Sequence, residues 1–270
     1  MSLKTLIKSG FILDIYFFKN NRASFFGMFL WPYLMLSLIL GMGFLFGSPE
    51  AFKQNIKMNV NPVMYYIAST IVAMSSLDVM WGVGGSVLWH RWSGTLPYIL
   101  LSPNRTSATL ILSYIPRYLL SAFLQLAEFA PLIILIEGFP NGVVKLGILA
   151  LALTIGMIPL LGFSALFASF LIAVEEETNV LGWLNPLILL FSGAFYPAYL
   201  LPHWARLISQ ALPSTYTVEL ARLAAVLGAP DLALVTFFIG VLLGIAVVYN
   251  FLAYLFIGYG ERKAMGKGAI

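Results

Sequence analysis

Residues 91–105, RWSGTLPYILLSPNR, separate two apolar runs that are each long enough to cross a bilayer. The segment is interrupted by Gly94, Pro97 and Pro103 and begins and ends with arginine, yet its middle, LPYILL, is apolar. Gly and Pro punctuate helices, whereas an apolar stretch flanked by positive charge favours a membrane surface. The pattern predicts a short amphipathic helix that lies on one surface of the membrane between two spans.

The composition excludes a water-soluble fold. The 270-residue chain is 60% hydrophobic and 10% charged, with a mean hydropathy of +0.92, whereas soluble domains are about 45–50% apolar and about 25% charged. At about 20 residues for each helical crossing, the length fits about five to seven spans and leaves no room for a separate catalytic domain. Cysteine is absent, which excludes disulfides and thiolate metal sites. The net charge of +4 is too small and scattered to indicate a nucleic-acid partner.

Apolar runs along the chain predict an all-α integral membrane protein with six transmembrane helices in a single domain. The predicted spans are residues 25–46, 63–88, 108–136, 146–174, 180–195 and 232–257, followed by a cytoplasmic tail, 258–270. Residues 201–222, between the fifth and sixth spans, are too polar for a crossing and too apolar for a free loop. They predict two short re-entrant or interfacial helices, broken at Pro213, with Glu219 and Arg222 paired on the surface of the second.

Residues 1–22 predict a helix that lies in the membrane interface rather than across it. On a helical wheel Lys4, Lys8 and Lys19 share one face, with apolar residues opposite. Asp14 falls on the apolar side and does not fit this pattern.

The distribution of positive charge predicts the orientation. Nine of the 15 Lys and Arg residues lie on the side of both termini, five lie on the opposite side, and Arg117 lies within a span. Because cytoplasmic loops are enriched in Lys and Arg, both termini are expected to be cytoplasmic in a multi-pass plasma-membrane protein.

Two groups of short motifs, in order along the chain, resemble those of ABC-2 type permeases, the membrane subunits of one class of ABC exporters. The first group is Gly94-Thr95-Leu96 followed by Ser102-Pro103. The second is Ser192-Gly193, Phe195, Pro197, Pro202, Trp204, Pro213 and Glu219-x-x-Arg222. Together with the interface helix and the six spans, the resemblance covers nearly the whole chain.

This resemblance implies a transport subunit that works as a homodimer or heterodimer. A separate ATPase subunit would dock on its cytoplasmic side. The coupling contacts would come from Arg91, Gly94, Thr95, Leu96, Ser102, Pro103 and Arg105. Acidic residues often flank the Gly-Thr-Leu motif in this family, but here the flanks are Trp92-Ser93 and Pro97-Tyr98. The contact to the ATPase is therefore expected to use the arginines or shape. The pathway is expected between the subunits, lined by the first, second and fifth spans.

Enzyme chemistry in this chain is not indicated. There is no GxxxxGK[ST] pattern, so ATP and Mg²⁺ are expected to be bound by the partner, with no cofactor, metal or catalytic residue in this chain. The two histidines, His90 and His203, lie at predicted membrane edges, which disfavours an intramembrane Ser–His protease. The expected cargo is amphiphilic, lipid-linked or drug-like, and the sequence does not separate drug, glycolipid, polysaccharide and peptide.

Three ionisable residues, Asp78, Arg117 and Glu128, fall inside predicted spans, where charge costs a few kcal/mol or more. Asp78 and Arg117 lie at equal depth in consecutive antiparallel spans, which predicts an ion pair between them. In the alternative interpretation Asp78 lines the cargo path. Asp78 and Glu128 would then also suit an ion- or proton-coupled transporter that needs no ATPase.

Overall fold

The computed structural model describes residues 3–45, 60–102, 104–173, 180–227 and 231–266. Helices make up 90% of this described part, which contains no β-strand. The predicted helical, multi-pass character of the chain is confirmed at this level.

The α-helices of the described part are, in chain order, α1 Leu3–Asn20, α2 Arg22–Leu45, α3 Pro62–Val79, α4 Gly85–Trp92, α5 Leu96–Leu100, α6 Thr106–Glu137, α7 Phe139–Ala173, α8 Val180–Phe191, α9 His203–Ala211, α10 Pro213–Arg222 and α11 Leu232–Gly266. A π-helical turn, Met80–Gly84, joins α3 to α4, and 3₁₀ turns cover Ala198–Leu200 and Leu223–Ala225.

Four helical segments of the described part are long and apolar enough to cross a membrane: Pro62–Trp92, Thr106–Glu137, Phe139–Ala173 and Leu232–Lys263. The first and fifth predicted spans appear as shorter apolar stretches, Phe26–Gly41 and Gly182–Phe191. Within the described residues α8 covers 12 residues, or about 18 Å of helix, whereas the hydrocarbon core is about 30 Å thick. Four crossing helices are therefore supported, and the six-span layout stays a prediction.

Local sequence signals set the ends of the crossing helices. The Asn61 side chain accepts from the backbone N–H of Val63 at 3.1 Å, and Pro62 occupies the first position of α3. This combination of a capping amide and a first-turn proline starts a helix. Helix α6 ends at Gly138, whose φ of +79° favours glycine.

Contacts between distant segments define two ends of the helical bundle. At one end, Arg91 of α4 donates to the Leu171 carbonyl of α7, and Arg105 donates to the Tyr254 hydroxyl of α11. The five-residue α5 also lies here, so we call it the α5 end. The N-terminal part of α6 and the last turns of α11 therefore lie side by side.

The opposite end, the α10 end, is closed by a buried polar contact that the sequence analysis missed. Lys145, one residue outside the predicted fourth span, lies in α7 and is 6% exposed. Its Nζ is 2.6 Å from Glu137 Oε2, and Glu137 Oε1 accepts from the Asn61 amide at 3.1 Å. The contact ties the first turn of α3 to the junction of α6 and α7.

Helix α11 extends beyond the predicted sixth span. Residues 258–266 of the predicted cytoplasmic tail continue this helix, and the membrane boundary at residue 257 stays a prediction. The GYGERKAMG sequence carries no proline that would end a helix here. The last four residues lie outside the described part.

Helix α1 packs against α6 through a narrow stripe of Leu6, Gly10 and Asp14, all buried. A Cβ on Gly10 would lie 2.0 Å from the Ser113 carbonyl oxygen, so the two backbones are in direct contact. Apolar side chains such as Leu13, 66% exposed, face away from the bundle, as expected for an interface helix.

The centre of the bundle is α7, which packs tightly against α11 through small residues. At Gly162 a Cβ would lie 2.7 Å from the Asn250 backbone nitrogen. The Asn250 amide donates to the Ile158 carbonyl at 3.0 Å. Because lipid is as apolar as the helix surfaces, the hydrophobic effect does not drive helices together in a membrane. Close packing at small residues and interhelical hydrogen bonds stabilise their association instead.

Gly162→Ala is expected to lower the unfolding free energy by about 1–3 kcal/mol, because the added methyl group forces α7 and α11 apart. Thermal unfolding of the purified protein in detergent, followed by circular dichroism, measures the change. Gly147→Ala on the same helix is the matched control, since a Cβ there meets nothing within 4 Å. We expect it to be neutral or stabilising by up to about 1 kcal/mol, and equal losses in both variants would contradict the packing argument.

Candidate functional site

The helix formed by α3 and α4 is widened by its π-helical turn, directly after Asp78. Ser164 of α7 stabilises the turn, because its hydroxyl donates to the Val79 carbonyl and accepts from the Gly84 N–H, both at 2.9 Å. A Cβ on Gly82 would lie 1.8 Å from the Tyr114 ring, so only glycine leaves room for that ring. Turns of this kind occur frequently at functional sites.

Beside this turn, a cavity of about 430 Å³ lies between α2, α3 and α6. Its ionisable lining consists of Asp78, Arg117 and Glu128. The structure thus brings together all three charges that the sequence places inside spans. Trp31 and Trp81 form part of the apolar wall, so the cavity offers both charge and aromatic surface to an amphiphilic molecule.

The predicted ion pair between Asp78 and Arg117 is wrong in this structure. The carboxylate within 4.0 Å of the Arg117 guanidinium is that of Asp14, at 4.0 Å, and the guanidinium also lies 5.5 Å from the centre of the Phe17 ring. Equal depth along two helices does not set their rotation, and α1 brings a competing carboxylate. This contact also explains why Asp14 departs from the amphipathic pattern.

Several buried polar atoms of the cavity region lack a hydrogen bond of ordinary length within the described part of the chain. These atoms are Asp78 Oδ2, the Tyr114 hydroxyl and Glu128 Oε2, although the Tyr114 and Ser121 hydroxyls lie near the Asp78 carboxylate. Arg117 faces Asp78 at a longer distance than an ion pair requires. Because buried carboxylates are costly unless neutralised, the cavity is chemically suited to a proton or a cationic group.

A chain of hydrogen bonds that the sequence analysis missed joins α3 to α6 within the same region. Ser75 donates to Gln125 Oε1 at 3.0 Å, and the Gln125 amide donates to the Ser121 hydroxyl at 3.2 Å. All three side chains are buried. Interhelical hydrogen bonds of this kind fix the rotation of one helix against another in a bundle. In the sequence, the four-residue spacing of Ser121 and Gln125, which places two polar side chains on one face of an apolar helix, was the signal that could have revealed this chain.

Helix α1 brings the Asp14 carboxyl to Arg117, at the edge of this region. Burial raises the pKa of the Asp14 carboxyl, the Arg117 guanidinium offsets part of this rise, and the charge of Asp78 adds to it. Since the pKa is higher in the folded than in the unfolded state, the fold favours the protonated form. The unfolding free energy contributed by this group therefore increases as the pH falls through the folded pKa towards the unfolded value of 3.8.

The predicted coupling segment has the expected short helix, α5, connected by tight turns. Gly94 adopts φ +69°, and a Cβ there would meet nothing within 4 Å. Glycine is therefore favoured here by the backbone conformation and not by a lack of space. The Thr95 hydroxyl lies 2.8 Å from His90 Nδ1, and Leu96 is buried. Arg91 is fixed by its bond to the Leu171 carbonyl, at 2.5 Å.

The second half of this segment leads into α6. The Ser102 hydroxyl donates to the Asn104 carbonyl at 3.2 Å. Arg105 is exposed and donates to the Tyr254 hydroxyl at 2.8 Å. Pro103 lies outside the described residues.

At the α10 end, Arg222 is a buried hub rather than a surface residue. The predicted ion pair with Glu219 is present at 3.2 Å, but its predicted surface position is wrong, because Arg222 is 4% exposed. Its guanidinium donates to the Ser69 hydroxyl at 2.9 Å and to the Gly193 carbonyl, and lies 4.0 Å from the centre of the Tyr65 ring. One side chain thus joins α3, α10 and the turn after α8.

The other residues of the second motif group surround this hub or lie outside it. Buried residues in the turn are Ser192, Gly193 with φ +78°, Phe195 and Pro197. Pro213 starts α10, most of which is buried, so this helix is inserted into the bundle rather than interfacial. By contrast Pro202 and Trp204 are exposed at the start of α9, where the Trp204 ring packs against Phe191.

Neither protein-family models nor curated proteins give a match to this chain. Within the described part, no group of three or more His, Cys, Asp and Glu residues is arranged to hold a metal ion.

Arg117→Met is expected to lower the unfolding free energy by about 1 kcal/mol, because it removes the cation that contacts Asp14 and lies near Asp78, and its side chain is 41% exposed. Asp14→Asn alone should change it by less than about 1 kcal/mol, since the fold already disfavours the charge on this group. In the Arg117→Met background, Asp14→Asn or Asp78→Asn should each restore part of the loss. Thermal unfolding of the single and double variants measures the coupling.

Glu128→Gln is the control for this cycle. Glu128 lines the same cavity but lies about 16 Å along α6 from Arg117, so it should restore nothing in the Arg117→Met background. Strictly additive effects for both aspartates would show that the three charges do not interact.

Arg222→Lys is expected to cost at least about 2 kcal/mol of unfolding free energy. The ammonium group of lysine cannot replace the planar guanidinium group, whose several N–H donors reach acceptors on three segments. Glu219→Gln keeps an acceptor oxygen on a side chain that is 32% exposed, so its loss should stay below about 1 kcal/mol. Similar losses in the two variants, measured by thermal unfolding, would remove Arg222 from its central role.

Proposed function

We propose that this chain is the membrane-spanning permease subunit of an ATP-driven ABC exporter, which moves an amphiphilic, lipid-linked or drug-like molecule out of the cytoplasm. The supporting observation is the α5 segment, a five-residue helix held between two crossing helices and tied to a third. In this proposal a separate ATPase subunit docks on α5 and binds ATP and Mg²⁺.

The geometry of α5 suits the transmission of motion. Gly94 closes the turn after α4, and the contact of Thr95 with His90 locks that turn to the helix. Arg91 connects the same point to α7. A push on α5 would therefore move α4 and α7 as a rigid unit and tilt α6 with them.

The remaining parts of the proposal concern assembly and orientation. The permease works as a homodimer or heterodimer in the plasma membrane, with both termini cytoplasmic. The packing of α1 against the first turns of α6, and of Tyr254 of α11 against Arg105, supports one common side for both terminal helices. The cavity next to Asp78 is the proposed place where the pathway meets a charged group of the cargo.

A second candidate function is an ion- or proton-coupled transporter that needs no ATPase. The observation that favours it is the cavity itself, because Asp78 and Glu128 each place there a buried carboxylate oxygen that, among the described residues, has no hydrogen bond of ordinary length and no ion pair within 4.0 Å. Protonation and release of these groups can drive transport without a nucleotide.

Gly94→Val tests the coupling role of α5. A β-branched residue is strained at φ +69°, so the turn should change and docking should fail although the helices remain inserted. The tagged chain, purified with its native membrane partners, should carry ATPase activity that the variant loses. Gly94→Asn is the matched control and should keep most of the activity, because asparagine tolerates this backbone conformation.

Two outcomes would contradict the proposal. If no ATPase purifies with the chain, or if Gly94→Val retains coupled activity, α5 is not a docking element. If liposomes holding the chain alone dissipate a pH gradient, and the double variant Asp78→Asn, Glu128→Gln does not, the proton-coupled function takes its place.

A further inference from the structure

A second cavity, of about 410 Å³, lies at the α5 end, between the start of α6 and the last turns of α11. Its charged lining is Arg105, Glu261 and Arg262, and Ser107 adds a hydroxyl. None of these residues lines the cavity next to Asp78, so the two sites are separate.

Arg105 is positioned in this cavity before any ligand arrives. Its Nη1 donates to the Tyr254 hydroxyl at 2.8 Å, and its guanidinium carbon is 5.0 Å from the centre of the Tyr254 ring. A guanidinium has five N–H donors, and this single bond leaves most of them available. The side chain is thereby held in place at the wall of the cavity.

The N-terminus of α6 adds to the attraction for an anion. Arg105 is the N-cap residue, and its side chain does not cap the helix. The first amides of a helix have no partners within the helix and carry partial positive charge. Because Ser107 of this first turn lines the cavity, the helix end and the two arginines act in the same place.

The arginines of this cavity differ from the cationic residues of the α10 end, because they have no carboxylate partner among the described residues. There, Lys145 is paired with Glu137 and Arg222 with Glu219. Within the described part, neither Arg105 nor Arg262 has a carboxylate within 4.0 Å. With two arginines and one glutamate, the cavity has a net positive charge and suits an anion.

The wall on the α11 side indicates what kind of anion fits. Leu255 lines the cavity, and Phe251, one turn earlier, is 60% exposed on the same helix. Tyr254 and Tyr259 also line the cavity, and tyrosine is typical of the boundary between lipid and water. A ligand with a phosphate group and an acyl chain would satisfy both the arginines and this apolar surface.

We propose that this cavity binds the phosphate of an anionic phospholipid headgroup, with the acyl chains along the exposed face of α11. Basic pockets between membrane helices recognise such headgroups through charge and hydrogen bonds. The bound lipid would bridge the start of α6 and the end of α11. The proposal concerns lipid binding alone and holds whichever transport function is correct.

The test is lipid binding to the purified full-length chain, measured by native mass spectrometry with phosphatidylglycerol and with phosphatidylcholine. We expect a preference for phosphatidylglycerol that falls about five-fold in Arg262→Gln and further in Arg105→Gln, Arg262→Gln. Arg262 is exposed on the last turns of α11, so its substitution should leave the fold intact. Thermal unfolding without lipid checks this.

Arg22→Gln is the matched control, since Arg22 is also exposed and lies outside the cavity. An equal loss in Arg22→Gln, or no preference between the two lipids, would overturn the proposal. Inorganic phosphate and glycerol 3-phosphate form a further arm. If either displaces phosphatidylglycerol at equal concentration, the site takes a soluble phosphate and the lipid assignment fails.

Discussion

The arrangement of this protein depends on one constraint: a charge buried in an apolar bundle must find its partners inside the protein. Arg222 meets it most completely, because its guanidinium reaches acceptors on α3, on α10 and in the turn after α8. These bonds hold α10 in the bundle and connect it to the turn after α8. Lys145 meets the same constraint through Glu137, so the α10 end is closed by paired charges.

The α5 end is organised differently. Arg91 and Arg105 bind neutral groups, the Leu171 carbonyl and the Tyr254 hydroxyl, rather than carboxylates. Such contacts position the cations without neutralising them, and they keep an attraction for anions outside the chain. One end of the bundle is thus built mainly for internal cohesion, and the other retains charge that a partner or a lipid can use.

Sequence reasoning found the elements that depend on local pattern. The long apolar helices, the short α5 with its Gly94 turn, and the pairing of Glu219 with Arg222 follow from composition and spacing. It did not find features that depend on the rotation of one helix against another. Asp14 appeared as a defect in an amphipathic helix, and only the packing of α1 on α6 reveals its contact with Arg117.

The π-helical turn connects the cavity next to Asp78 to the α5 end of the bundle. It lies between Asp78 at the cavity and α4, which leads into α5. An α-helix resists bending because its backbone hydrogen bonds form an unbroken series along the axis. At this turn, the Val79 carbonyl and the Gly84 N–H instead bond to the Ser164 hydroxyl of α7. Movement of α4 relative to α3 would therefore concentrate at this turn. Because the Tyr114 ring fills the space that Gly82 leaves open, such movement would act directly on the wall next to Asp78.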